Sequence, residues 1–404
     1  MQFIKSLKQK VPQRSFLPAF ILVFNSLTWY TLSMALFTST INSSYSSSAA
    51  LVIFAVNYTG VAGSALLGSI VFPRARRTFL FSWVLGGTLI SAFLITVSSN
   101  NISGSVLTSF LLGVSVGIGL PSCLAYFADE TSTENRGFHG GVTWSAIGFG
   151  ILLLALLVNS LSSVLAFLAI AIWRALGLGA FAFMKNDETT HTKRSSPTYF
   201  SILRRRDLTL YLIPWIMFCL VNFVETPMLE KVFGGFFVSV GFIEFALTGF
   251  FALIGGALAD IVGRKRVIMT GFIILGLEYA ILSLFYSLPV SWYVYTAFDG
   301  IAWGMFASVF FMTLWGDLAN GFAKEKYYLL GGLSYILSGF LPILVKPYVE
   351  VIPLNASFSL ASFFLFLAVL PLMYAPETLP EKRIRERELK EYVERAKKAK
   401  EKYA

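Results

Sequence analysis

The chain alternates between long apolar runs and short polar segments, and nearly all of its charges fall in the polar segments. Twelve apolar runs can be read, at about 16–38, 49–72, 78–99, 104–127, 138–159, 163–184, 208–229, 235–259, 267–287, 291–315, 326–345 and 352–375. Runs of roughly 20 residues match the length a helix needs to cross a hydrocarbon core of about 30 Å. Lipid offers no partner for an open backbone group, so each run is expected to be helical. Pro214 and Pro227 are tolerated inside such helices and mark bends. The first run is too long for a cleavable leader and follows Arg14 directly, so it is expected to remain as a span. The expected fold class is an all-α integral membrane protein with twelve transmembrane helices.

The basic residues orient the spans. Segments between spans, taken alternately, separate into two sets, and one set carries 29 of the 32 Lys and Arg residues. It includes Arg74, Arg76 and Arg77, Arg136, Arg264 to Arg266, Lys324 and Lys326, and both ends of the chain. The other set has only Lys231 and Lys346 beside neutral Ser/Asn loops. Basic loops stay on the cytoplasmic side, so both termini are expected there, in the cell membrane. The same rule accounts for the net charge of +10 without a nucleic-acid partner.

Composition narrows the class further. Of the 404 residues 56% are hydrophobic and only 13% charged, with a mean hydropathy of +0.71. A typical soluble domain carries about 25% charged residues, so an ordinary soluble enzyme and a disordered polymer are both excluded. Cys123 and Cys219 lie in apolar runs and give no metal-binding or disulfide pattern. His139 and His191 suggest no metal site, and no nucleophile–base pair is evident, so neither a cofactor nor an enzymatic activity is expected.

A shift of about 188 positions superposes the two halves. Gly68 falls on Gly256, Arg76–Arg77 on Arg264–Lys265, Gly113 and Gly117 within one position of Gly300 and Gly304, and Asp129 on Gly316–Asp317. The polar stretch 185–207 separates two groups of six spans, 16–184 and 208–376, flanked by residues 1–15 and a charged tail, 377–404. The tail has 17 charged residues in 28 and is expected to form an amphipathic helix or a frayed extension. Two six-helix halves with their ends on one side are the construction of transporters that rock two bundles about a central site.

The segment Gly256–Arg266, GALADIVGRKR, resembles the signature loop of the major facilitator superfamily through Gly256, Asp260, Gly263, Arg264 and Lys265. The matching first-half loop keeps Gly68, Arg76 and Arg77 but has Phe72 and Ala75 in place of the acid and second glycine. Asp129 with Arg136–Gly137, repeated by Asp317 with Lys324, and Pro376–Glu377–Thr378 resemble sugar-porter members. The resemblance implies two pseudo-symmetric six-helix bundles and alternating access to a small polar solute, a sugar, an organic acid or a related metabolite. Proton-coupled symport is the expected mode; export, uniport and a sensor built on the same fold are alternatives. No obligate protein partner is implied.

Physical reasoning gives these motifs a gating role. Asp260 ends a helix where its charge can face the N-terminus of a neighbour, and Gly263 permits the tight turn to Arg264. Arg264 and Lys265 are expected to pair with Asp317 or Glu377, and Arg76 or Arg136 with Asp129. The simpler alternative is that these residues serve only topology and helix capping.

Five charges lie within the runs: Arg174, Glu225, Glu244, Glu278 and Asp299. A charge inside a bilayer is costly and is a functional candidate by default. Helical rise places Arg174 and Glu278 about 16–18 Å from the cytoplasmic ends of their spans and Asp299 about 12 Å from the other surface. The resemblance implies that spans one, four, seven and ten line the path. Asp299 and Glu225 are then the first candidates for proton or solute binding, because a carboxyl group in a low-dielectric cavity can hold a proton. Glu225 and Glu244 are equally consistent with the outer interface, and Glu278 and Arg174 with buried structural pairs. Solute-binding candidates are Asn25, Trp29 and Tyr30, Asn57, Trp144, Asn222 and Trp303. Span seven lacks the Gln pair of sugar porters and span five the Gly-Pro of drug exporters. Asn42, Asn101 and Asn355 lie in Asn-x-Ser/Thr triplets in or beside outer loops, and Asn57 lies in one inside a span.

Overall fold

The computed structural model describes residues 16–70, 76–94, 101–184, 197–319 and 323–379. The expected tail helix and most of the 185–207 connection lie outside the described residues. Every regular element among the described residues is helical. Ten stretches are long and apolar enough to cross a membrane, and one of them, Arg206–Val262, has 57 residues. A single helix of that length would span about 86 Å, so it must reverse. It does so at Gly234, whose φ of 52° suits glycine.

The first six spans are α1 (Phe16–Ser44), α2 (Ser47–Ile70), α3 (Arg76–Phe93), α4 (Ile102–Asp129), α5 (Arg136–Asn159) and α6 (Ser163–Leu176, extended by a 3₁₀ turn Gly177–Ala182). The second six are α7 (Arg206–Phe233), α8 (Phe237–Val262), α9 (Arg264–Phe285), α10 (Pro289–Phe306), α11 (Lys324–Ser338) and α12 (Leu354–Leu367). Three expected runs are interrupted. After α10 a π turn, Ala307–Phe311, precedes Leu314–Leu318; α11 breaks before Leu341–Val345; and α12 is followed by Val369–Tyr374. With these twelve apolar helices the chain is a multi-pass membrane protein. The side where α2 turns to α3, α4 to α5, α8 to α9 and α10 to α11 carries the basic clusters and is called here the basic face.

Helices pack within two bundles. In the first, α2 lies along α4, and α1 crosses α4, α5 and α6; in the second, α8 lies along α10, and α9 against α10 and α12. The bundles meet where α5 lies along α8 and where α11 meets α2 and α4. Lipid is as apolar as a leucine side chain, so close backbone approach rather than water expulsion holds such helices together. Glycine supplies that approach. Gly113 and Gly117 of α4 face the backbone of Asn57 and Val61 on α2, and Gly300 and Gly304 of α10 face Leu247 and Phe251 on α8. At the seam between bundles, Gly137, Gly141 and Gly148 of α5 meet Gly256, Ala252 and Gly249 of α8.

A methyl group at Gly141 would press on the backbone carbonyl of Ala252, whereas one at Gly86 would meet nothing within 4 Å. Overpacking costs about 1–3 kcal/mol. Gly141→Ala is therefore expected to lower the thermal unfolding midpoint of the purified protein, while Gly86→Ala leaves it unchanged or raises it.

Candidate functional site

On the basic face, charged residues from both bundles converge. Asp260, at the end of α8, accepts hydrogen bonds from the backbone N–H groups of Gly137 (3.0 Å) and Phe138 (2.9 Å), the first turn of α5. Those amides have no partner within their own helix, and the positive end of the helix dipole favours the carboxylate. Gly263, at φ 101°, turns the chain so that Arg264 folds back. Its guanidinium pairs with Asp260 at 3.1 Å and Asp317 at 3.1 Å and donates to the carbonyl of Thr133 in the other bundle. Arg136 pairs with the same Asp317 and donates to the Ala128 carbonyl at 2.7 Å. Of the two partners expected for Asp129, Arg76 pairs with it and Arg136 does not. Arg136 points across the seam, and Asp129 holds Arg76 at 2.5 Å and Lys324 at 2.5 Å.

Arg76 also reaches Glu325 at 3.0 Å, adding a further contact between bundles. The Glu377 carboxylate accepts from the backbone N–H groups of Arg264 (2.9 Å) and Lys265 (3.1 Å), capping α9. The Lys265 ammonium donates to the carbonyls of Met373 and Ala375 instead of to a carboxylate. Gly256 contributes by letting α8 approach Gly137. Arg136, Asp260, Arg264 and Asp317 are all buried. Glu325 was missed in the sequence reading, although it sits beside Lys324 at the start of α11 and could have been found there.

Beyond this cluster lies a cavity of about 310 Å³ between the bundles. Asn222, Trp144 and Trp303 line it, as do Tyr30, Glu244 and Asp299. Phe311 ends the π turn and lies six residues before Asp317 of the ion cluster. Phe311 packs on Trp144 of the first bundle (ring centroids 5.0 Å apart) and on Tyr335 (4.9 Å). Tyr335 lies on α11, outside the four spans α1, α4, α7 and α10 that the family resemblance makes path-lining, and so is not among the sequence candidates; its signal is a tyrosine midway along its span. Toward the opposite face the cavity is bordered by Phe233 and Phe237, at the junction of α7 and α8.

Six candidates, Asn25, Trp29, Asn57, Arg174, Glu225 and Glu278, do not line the cavity. Asn25 donates to the Trp173 carbonyl at 2.6 Å and accepts from Arg174 at 3.1 Å. Trp29 donates to Ser91 at 2.6 Å, and Asn57 to the Ser109 carbonyl at 2.8 Å. These three tie α1 and α2 to their own bundle, since a buried amide or indole N–H must find a partner wherever it is. Glu225 turns toward α12, where it is buried and accepts from the Ser357 hydroxyl at 2.9 Å.

Arg174 is fully buried inside the first bundle, bonded to Asn25 and Ser26 and set over the rings of Trp29 (4.5 Å) and Trp83 (4.4 Å). It forms no carboxylate pair among the described residues. Glu278, on α9, is fully buried and faces Asp299 and Glu244. No group of three or more His, Cys, Asp or Glu that could hold a metal occurs among the described residues.

No protein-family model matches the chain, and neither does any curated protein sequence. Solved structures do. The human organic anion transporter MFSD10 (TETRAN) superposes with a TM-score of 0.68 at 15% identity, over 89% of this chain and 99% of that one. The major facilitator superfamily proton:xylose symporter XylE, bound to 6-bromo-6-deoxy-D-glucose, gives 0.69 at 15% identity, over 90% and 96%. The major facilitator superfamily transporter FucP in its outward conformation gives 0.71 at 11% identity, over 90% and 99%. The chain has the major facilitator superfamily fold.

Removing one member of a buried ion pair costs about 3–5 kcal/mol, against about 0–1 kcal/mol for an exposed pair. Asp317→Ala is therefore expected to lower the unfolding midpoint far more than Lys324→Ala, whose partner Asp129 is 38% exposed. Parallel melts of the two detergent-purified variants check this.

Proposed function

We propose that the chain is a secondary transporter that moves a small solute across the cell membrane by alternating access, coupled to protons. The observation that carries this reading is a central cavity between two bundles, closed on the basic face by contacts that cross from one bundle to the other. Arg136–Asp317, Arg264 to Thr133, Lys324–Asp129, Arg76–Glu325 and Asp260 on the first turn of α5 each join the two halves. None of these links is covalent, so the set can part when the bundles rock and re-form when they return. Positive-inside placement makes the basic face cytoplasmic, with both termini there. The cavity is then closed toward the cytoplasm in this state.

Proton coupling is assigned to Asp299, with Glu244 and Glu278 beside it. Asp299 and Glu278 are buried and Glu244 is half-buried, and among the described residues no Lys, Arg or His lines the cavity that Asp299 and Glu244 share. Ionised, they would repel one another in a medium of low dielectric; a proton taken up from one side and released to the other relieves that repulsion once per cycle. Glu225 and Arg174 are assigned structural roles within their bundles. Among the solutes the sequence admits, an organic acid suits the cavity poorly, because it would meet carboxylates and no cation. Neutral and cationic solutes remain.

The test is flux into vesicles containing the purified protein, with and without an imposed pH gradient. Asp299→Asn is expected to abolish gradient-driven accumulation at least tenfold while the protein still elutes as a folded species. Unchanged accumulation in that variant would remove Asp299 from the coupling role.

A further inference from the structure

The cavity wall combines two features that select the same ligand chemistry. Tyr30, Trp144, Tyr295, Trp303, Phe311 and Tyr335 present aromatic rings from both bundles. Glu244 on α8 and Asp299 on α10 supply its only charged side chains, and both are acidic. A third carboxyl group, Glu278 on α9, stands behind them. It is fully buried, lies within carboxyl-to-carboxyl hydrogen-bonding reach of Asp299, and faces Glu244. Among the described residues, none of the three acids forms an ion pair, whereas every pair on the basic face is matched across or within bundles.

An aromatic face attracts a cation through its quadrupole, most strongly where water is excluded. A carboxylate does so through its full charge, and more strongly the lower the local dielectric. A bare metal ion would need several oxygen ligands at short range, and this wall is mostly carbon. A sugar would call for paired amide groups around its ring; among the described residues the wall offers one amide, Asn222, beside the hydroxyls of threonines and tyrosines, and these do not balance the charge of the two acids. The volume of about 310 Å³ lies at the small end of ligand pockets.

We propose that the cavity binds a small organic ammonium ion carrying an aromatic or branched apolar group, its charge at Glu244 and Asp299 and its apolar part against the rings. The inference rests on the transporter reading for the claim that this cavity is the transport site. It identifies the substrate class as cationic, not as sugar or organic acid.

The experiment uses the full chain in lipid nanodiscs with three probes of similar size: benzyltrimethylammonium, phenylacetate and xylose. Binding is read by equilibrium dialysis and by quenching of tryptophan fluorescence, to which Trp144 and Trp303 contribute. Benzyltrimethylammonium is expected to bind saturably and the other two not to. Glu244→Gln and Asp299→Asn are each expected to weaken it at least tenfold, with folding checked by elution and thermal melt. If either variant fails to fold, the preference for ammonium over the uncharged and anionic probes on the unaltered chain still decides the matter. Tighter binding of xylose or phenylacetate, or an affinity unchanged in a folded Glu244→Gln/Asp299→Asn double variant, would overturn the proposal. Flux assays in vesicles separate it from the transporter reading. Transport of xylose without ammonium binding would overturn the site and leave the transporter, whereas saturable ammonium binding with no flux under any gradient would uphold the site and overturn transport.

Discussion

One carboxylate, Asp317, is held between two guanidinium groups that come from opposite bundles, Arg136 on α5 and Arg264 on α9. Everything on the basic face is arranged around that sharing. Burying a single arginine in a protein interior is costly, and two are tolerable only where a fully hydrogen-bonded acid lies between them. Asp260, one turn from Arg264, uses its remaining capacity on the first amides of α5. The closure is therefore made of two carboxylates, two arginines and one helix end, and each member depends on the others for its partners.

The same solvent that makes those charges costly dictates the rest of the architecture. Hydrocarbon requires helices and offers no drive to bring them together, so the chain relies on glycine where backbones must touch. Charges not used at the basic face then stand out. Arg174 is accommodated by two indole rings and two polar side chains within its own bundle. Glu225 takes a serine hydroxyl from α12. Glu244, Glu278 and Asp299 remain on three adjoining helices with no basic counterpart, and these frame the cavity.

Legibility in the sequence follows how local each determinant is. The spans, the reversal near residue 234 and the Gly256–Lys265 turn could all be read, because run length and a short spaced motif fix them within one segment. The partner of Arg136 could not. Asp129 lies seven residues away on the preceding helix, but the guanidinium crosses to Asp317, 181 residues on, a choice made by how the bundles dock. Asn25, Trp29 and Asn57 were misassigned for a related reason. A helix that is apolar all round gives no periodicity to say which face looks into the path. Asn222 and Trp303 sit on spans of the same kind, so their place at the cavity also depends on packing that no local pattern encodes.

The seam between α5 and α8 has a kinetic implication. Its closest backbone approaches are at Gly137, Gly141, Gly148, Gly249 and Gly256, with Ala252 and the Asp260 carboxylate beside them. A surface of interlocked side chains must reset rotamers when it shifts, and each reset adds to the barrier. Backbone sliding on backbone has no rotamers to reset, so this contact offers little friction to relative movement of the halves. In the proposed cycle the contacts that must let go are the ion pairs of the basic face and the ring contacts that cross between bundles, Trp144 on Phe311 and Tyr58 on Phe340.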